Sequence, residues 1–252
     1  MCVVDRDRTI VDAVAKKTAE HEGHPDHRAL AGGSARAGVF GFSDGLVSNV
    51  SLIIGFAAGG VDSSVVRLAG IAAAVAGAAS MAAGEWISIS AQNELVVREI
   101  ALELRELKLH PEAETSELAA MYRQHGMSKE QAAISAKEVM QNPERAVMVH
   151  AREEFGLDPD HLPNPVQIGL ISLLAFLSGA MLPVIPWVFT GGNNARFGSV
   201  AIAIVAAATA GAAIGQQAER SKITSAVRQV SIMLLAVGIT YLIGRLVGTT
   251  IN

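Results

Sequence analysis

One cysteine, Cys2, in 252 residues excludes an intrachain disulfide, and its place in a polar tail fits the reducing side of a membrane. Aromatic residues are scarce at 4%, although half of the chain is hydrophobic and its mean hydropathy is +0.36. A soluble domain of this length is seldom so apolar and so rich in Gly and Ala. Helices packed in lipid favour such residues because their backbones can approach closely. The first 36 residues are charged and contain no apolar run, so no cleavable leader is expected. Nucleophile motifs, His-rich zinc-protease patterns and Gly-rich phosphate loops are all missing. That argues against an enzyme and removes ATP as a driving force within this chain. No tightly bound cofactor and no nucleic-acid partner are expected.

What is present is a set of apolar runs. Residues 38 to 60, GVFGFSDGLVSNVSLIIGFAAGG, are long enough to cross a bilayer core and carry one acid, Asp44, where a charge is expensive. At about 100° per residue Asp44, Ser48, Ser51 and Gly55 fall on one stripe, so the acid heads a polar track. A second run spans about Val65 to Trp86, with Gly70, Gly77 and Gly84 giving a small-residue packing face. Met81 and Glu85 are four apart on one face, just inside the end marked by the interfacial Trp86. If the first two helices are antiparallel, Asp44 and Met81 both lie roughly 8 to 9 Å inside the membrane, and a carboxylate and a thioether at equal depth make a metal site.

Three further runs cover about Val166–Thr190, Phe197–Gly215 and Gln229–Val247. Pro183 and Pro186 should kink or end the first of them near the far surface. Five spans place the termini on opposite sides. The N-terminal tail holds six Lys/Arg, residues 87 to 165 hold eight and the segment between the last two spans holds three, against only Arg67, Arg196 and Arg245 in or near the other three membrane ends. The positive-inside rule then makes the N-terminus and the insertion cytoplasmic and the C-terminus external.

Charge is concentrated in that insertion, which carries fourteen Asp/Glu against its eight Lys/Arg. Its helical pattern continues from the second span to Leu109, and Pro111 breaks it. Later helices are expected from Glu112 to about His125, from a Ser128/Gln131 capping box to about Gln141, and from an Asn142 cap with Pro143 in the first turn to Gly156. Glu103 and Glu106 share one helix face, and Glu114 and Glu117 share another across the Pro111 turn. Folding one helix on the other gathers four carboxylates, a donor set for Mn²⁺, Fe²⁺ or Ca²⁺, and for Zn²⁺ when nitrogen joins. In the N-terminal tail a short helix over about Asp5–Glu20 is expected. His21, His24 and His27 follow it, but Gly23 and Pro25 keep them off a common helix face.

FGFSDGLVSN, then an apolar segment ending SMAAGEW, a Glu-rich loop and a segment containing GAMLPVIP occur in an order that resembles the vacuolar iron transporter (VIT) family of divalent-metal/proton antiporters, in a bacterial-type form. The resemblance covers nearly everything after residue 36. It implies that the two Glu pairs bind cytosolic metal together with a Met and a Glu four apart on the last helix of the insertion. Here Glu154 matches that acid, but His150 stands at the Met position, with Met148 two residues before it. An imidazole there should favour Zn²⁺ or Fe²⁺ and make affinity fall as pH drops through about 6.5. Proton coupling, outward direction and a homodimer with its pathway at the interface also follow from the resemblance. Gly41, Gly45 and Gly55 are expected to leave room for the partner's first helix.

The expectation is an all-α polytopic membrane protein with five transmembrane helices and a cytoplasmic helical metal-binding insertion between the second and third. It divides into a tail (1–36), two spans (37–86), the insertion with its linker (87–165) and three spans (166–252). It would sit in the cell (inner) membrane and export Fe²⁺, or Mn²⁺, Co²⁺ or Zn²⁺, against protons. Asp44 and Met81 would form the membrane site, with Glu85 at its cytoplasmic mouth. Glu103, Glu106, Glu114, Glu117, His150 and Glu154 would collect the metal. The competing reading is a membrane-anchored metal sensor or buffer without transport.

Overall fold

The structure, a computed structural model, describes residues 33–156 and 162–251. Cys2, the expected tail helix and His21, His24 and His27 lie outside those residues. Every element among the described residues is helical: α1 Gly33–Ala58, α2 Ser63–Leu109, α3 Pro111–Gln124, α4 Lys129–Met140, α5 Pro143–Phe155, α6 Pro165–Met181, a 3₁₀ turn Leu182–Val184, α7 Ile185–Phe189, α8 Gly192–Gln217 and α9 Lys222–Ile251. Five helical segments are long and apolar enough to cross a membrane: α1, α2, the run 165–189, α8 and α9. α8 and α9 begin five and seven residues before their apolar runs, since hydropathy marks the lipid-facing part of a helix and not its end.

The chain forms two compact units, one built from Ile89–Pro163 and the other from the described residues up to Ser88 and from Asn164 onward. α2 is unbroken and contributes to both.

In the second unit α1 packs on α6, α8 and α9. A Cβ on Gly45 would overlap the Phe176 carbonyl and one on Gly179 the Phe42 carbonyl, so the α1–α6 crossing requires glycine on both sides. Gly244 rides against the Gly55 carbonyl in the same way at the α1–α9 crossing. Gly41, Gly45 and Gly55 therefore serve contacts within the chain, and the room expected for a partner helix is already filled by α6 and α9. On α2, Gly70 and Gly77 receive Ile53 and Phe176, while Gly84 faces open space. Leu46, Val50 and Ile54 of α1 form a core with Ala203, Ala207 and Met233. Large apolar side chains such as Leu68, Leu170, Phe197 and Leu235 remain more than half exposed around the outside, as a lipid-facing surface demands.

The prolines act as expected. α6 stops at Met181, a 3₁₀ turn follows, and α7 resumes for five residues. Ser199 of α8 repairs the break: its hydroxyl donates to the Pro183 carbonyl at 2.6 Å and accepts from Trp187 Nε1 at 2.9 Å. α1 ends at Gly59–Gly60, where Gly60 has φ +82°, and the Arg196 guanidinium donates to the Ala57 carbonyl of its last turn.

In the first unit the caps fall where the sequence puts them. Ser128 Oγ accepts from the Gln131 amide and Asn142 Oδ1 from the Arg145 amide, while Gly156 closes α5 in the left-handed conformation. Leu118, Ala132, Ala136, Ala146, Val147 and Ala151 are buried between these helices. Asn93 Nδ2 donates to the Pro163 carbonyl at 2.9 Å, fixing the returning chain.

Candidate metal sites

α2, α3 and α5 each turn acidic or imidazole side chains inward, and the three helices meet around His150. That residue is fully buried, and Glu103 is 3% exposed. The small residues Ala146 and Ala151 beside His150 let α5 come close enough for the ring to be enclosed. His150 Nδ1 lies 3.1 Å from Glu103 Oε1 and 3.8 Å from Glu114 Oε2. One ligand atom from each of Glu103, His150 and Glu154 falls within 4.8 Å of the others. Glu106, Glu117 and Glu154 are exposed at the rim of the cluster.

The hydrogen bonding there is incomplete. Both His150 nitrogens and Glu103 Oε1 are buried without a hydrogen-bond partner; the 3.1 Å approach lacks the geometry of one. A buried unsatisfied polar atom costs about 1–3 kcal/mol. Two of the three, His150 Nδ1 and Glu103 Oε1, face each other at 3.1 Å, and with one oxygen of Glu154 within 4.8 Å they offer a donor set that a cation could satisfy.

Electrostatics agrees. Burial, then repulsion from Glu114, Glu154, Glu106 and Glu117, pushes the Glu103 carboxyl up to about 7. Burial followed by repulsion from Glu117 also raises Glu114 and Glu154 above the usual carboxylate range. His150 moves the other way: burial lowers it, against an opposing pull from Glu117. The imidazole is neutral near pH 7 and keeps a lone pair for a metal. Near neutral pH the acid of this cluster that titrates is therefore Glu103, while burial holds the His150 imidazole below its usual range.

In the membrane unit Asp44 is half-buried on α1 and accepts a hydrogen bond from Ser48 Oγ at 2.9 Å. The polar track continues as a groove of about 780 Å³ whose walls include Ser48, Ser51, Gly55, Thr240 and Gly244. The buried Ser51 hydroxyl has no partner. Met81 is held elsewhere, packed with Leu173, Leu177 and Met181 around the Phe176 cluster. Register separates the two residues further. Asn49 bonds to the Gly70 carbonyl and Arg36 pairs with Glu85, so numbers facing each other across α1 and α2 add to about 120. Asp44 is thus level with about Ala76, and Met81 lies roughly 7.5 Å nearer the Arg36 end. Equal spacing from the apolar ends suggested one depth, but the loop between the helices is not symmetric about them.

Glu85 is 15% exposed, and its carboxylate lies 3.7 Å from the Arg36 guanidinium. Sequence reasoning missed Arg36, although it shares the i, i+4 stripe of Phe40, Asp44 and Ser48. It also missed Asn49, which is 2% exposed and donates from Nδ2 to the Gly70 carbonyl at 3.1 Å and the Ala180 carbonyl at 2.6 Å. An amide inside an apolar helix was the available signal.

Comparison with known proteins places these features in context. A family model described as VIT family matches residues 35–245. Vacuolar iron transporter 1 of Oryza sativa subsp. japonica is 28% identical over 239 residues, 94% of this chain and 95% of the relative. Vacuolar iron transporter homolog 1 of Arabidopsis thaliana is 28% identical over 85% of this chain and 83% of the relative. A vacuolar iron transporter of Acanthamoeba castellanii is 31% identical over 63% of this chain and 58% of the relative. These relatives come from plants and an amoeba, and the expected bacterial-type character finds no support in them.

Proposed function

We propose that this chain, which belongs to the VIT family, moves Fe²⁺, and with it Mn²⁺, Co²⁺ or Zn²⁺, out of the cytoplasm in exchange for protons. The chain is a multi-pass membrane protein, and a transporter in place of an enzyme. One observation carries the metal reading: a buried imidazole with both nitrogens unpaired beside an unpaired carboxylate oxygen. Glu103, His150 and Glu154 would take the ion first, with Glu114 behind them and Glu106 and Glu117 drawing cations to the rim. Asp44 would then exchange metal for a proton inside the membrane, Ser48 orienting its carboxylate. Met81, one level nearer the cytoplasm, would supply a soft donor that discriminates against Mg²⁺ and Ca²⁺.

One chain brings too few donors to Asp44 for a dehydrated divalent ion. Phe40 and Ser48 are exposed on either side of it along α1, and a second copy placed on that stripe would pair two Asp44 carboxylates. The working unit in this reading is a homodimer in the cell membrane, with the insertion cytoplasmic and a tag after Asn252 reachable from outside.

The sensor reading retains one supporting observation, since the insertion's ligand set lies within one chain whereas the membrane set does not. Flux decides between the two. Sealed vesicles containing the protein should take up Fe²⁺ or Co²⁺ faster with a pH gradient than without. Metal binding without flux in either condition would leave the sensor.

A further inference from the structure

Arg36 is the only basic residue of α1, and it stands two turns above Asp44 on the same stripe, with Phe40 between them. Its guanidinium is the sole ion-pair partner of Glu85 among the described residues, at 3.7 Å. The two side chains are unequally placed: Glu85 is 15% exposed and Arg36 is 70% exposed. Glu85 is one turn from Met81, whereas Arg36 is mostly exposed and reaches across on a long side chain that can swing away. A loose pair of this kind is weak, and weakness is what a displaceable counter-charge needs.

Resting on the transport reading above, we infer that Arg36 is a tethered cation that occupies Glu85 when no metal is present and competes with the metal for it. The guanidinium neutralises a carboxylate that would otherwise face the membrane boundary unpaired. A divalent ion has twice the charge and can exchange ligands, so it displaces Arg36 and gains Glu85 and Met81 together. Arg36 thereby sets the threshold concentration for entry and discourages monovalent ions, which carry no charge advantage over it. It touches the site through Glu85 alone and is a specificity-determining residue in this scheme.

The test is a cycle of variants in sealed vesicles, with initial Co²⁺ uptake measured against free Co²⁺. Arg36→Gln should lower KM by about two- to fivefold and leave the maximal rate within about twofold. Arg36→Lys should keep the parental KM within about twofold, because the cation remains. In a Glu85→Gln background Arg36→Gln should no longer change KM. An unchanged KM for Arg36→Gln, or an equal shift in both backgrounds, overturns the inference, and so does a fall in maximal rate alone. If the parent protein shows no flux, the transport reading fails by itself. Equilibrium Co²⁺ binding to the purified full chain, with Glu103, Glu114 and Glu154 all changed to Gln, then reads the competition directly. Tighter binding in Arg36→Gln supports the inference, and equal or absent binding overturns it.

Discussion

Replacing Glu103 by Gln should stabilise the metal-free insertion while removing its response to metal. Burial and four neighbouring carboxylates raise this acid from 4.5 to about 7. A raised carboxyl keeps its proton in the folded state where the unfolded chain has lost it, so folding grows less favourable as pH climbs from 4.5 and the whole penalty is present above 7. A shift of that size corresponds to about 3 kcal/mol. Gln has the same shape and no charge, so the variant should gain about 2–3 kcal/mol at pH 8 and nothing at pH 4. Amide hydrogen exchange along α5 in the full chain, corrected for the intrinsic rate at each pH, reads this locally. Saturating Mn²⁺ or Zn²⁺ should reverse the order at about a thousandfold excess over Kd, where it adds about 4.1 kcal/mol to the parent and far less to the variant. A variant with the parental pH dependence, or with weaker protection when metal-free, would refute both the buried charge and its role as ligand.

His150→Met should shift preference away from Zn²⁺ by calorimetry, yet keep most of the pH dependence of binding near neutrality, because that proton belongs to Glu103. A flattened profile would return the titration to the imidazole. Asp44→Asn should abolish flux and its proton coupling while the protein elutes and melts as before; normal flux would remove Asp44 from the pathway. Gly45→Ala drives a methyl group into the Phe176 carbonyl and should cost about 1–3 kcal/mol or prevent assembly, measured as Tm in detergent. An unaltered Tm would show that α6 gives way.

Sequence reading succeeded where one local rule decides the outcome. Ser128, Asn142 and Gly156 end helices because of chemistry within four residues, and the Pro183 break follows from missing amide donors. The Glu103/Glu114 gathering was legible because i, i+3 spacing on both sides of Pro111 leaves few ways to fold. Helix register was not legible: the depth of Met81 against Asp44 depends on how Asn49 and Arg36 meet α2, and no periodicity encodes that. The glycines of α1 illustrate the same limit. Spacing shows that Gly41, Gly45 and Gly55 invite a close neighbour, but only the folded chain shows that the neighbours are α6 and α9.

The glycine crossings have a mechanical consequence for the helix that carries the acid. Turning α1 by a single residue would bring a side chain such as Leu46 against the Phe176 carbonyl where only Gly45 now fits. Sliding it along its axis meets Gly244 and the two bonds from Asn49. α1 is a fixed post within the unit, free on one stripe alone. If Asp44 exchanges metal as proposed, the motion that opens it to one side of the membrane and then to the other would come from what lies across that stripe, since the α1 backbone is locked against α6 and α9.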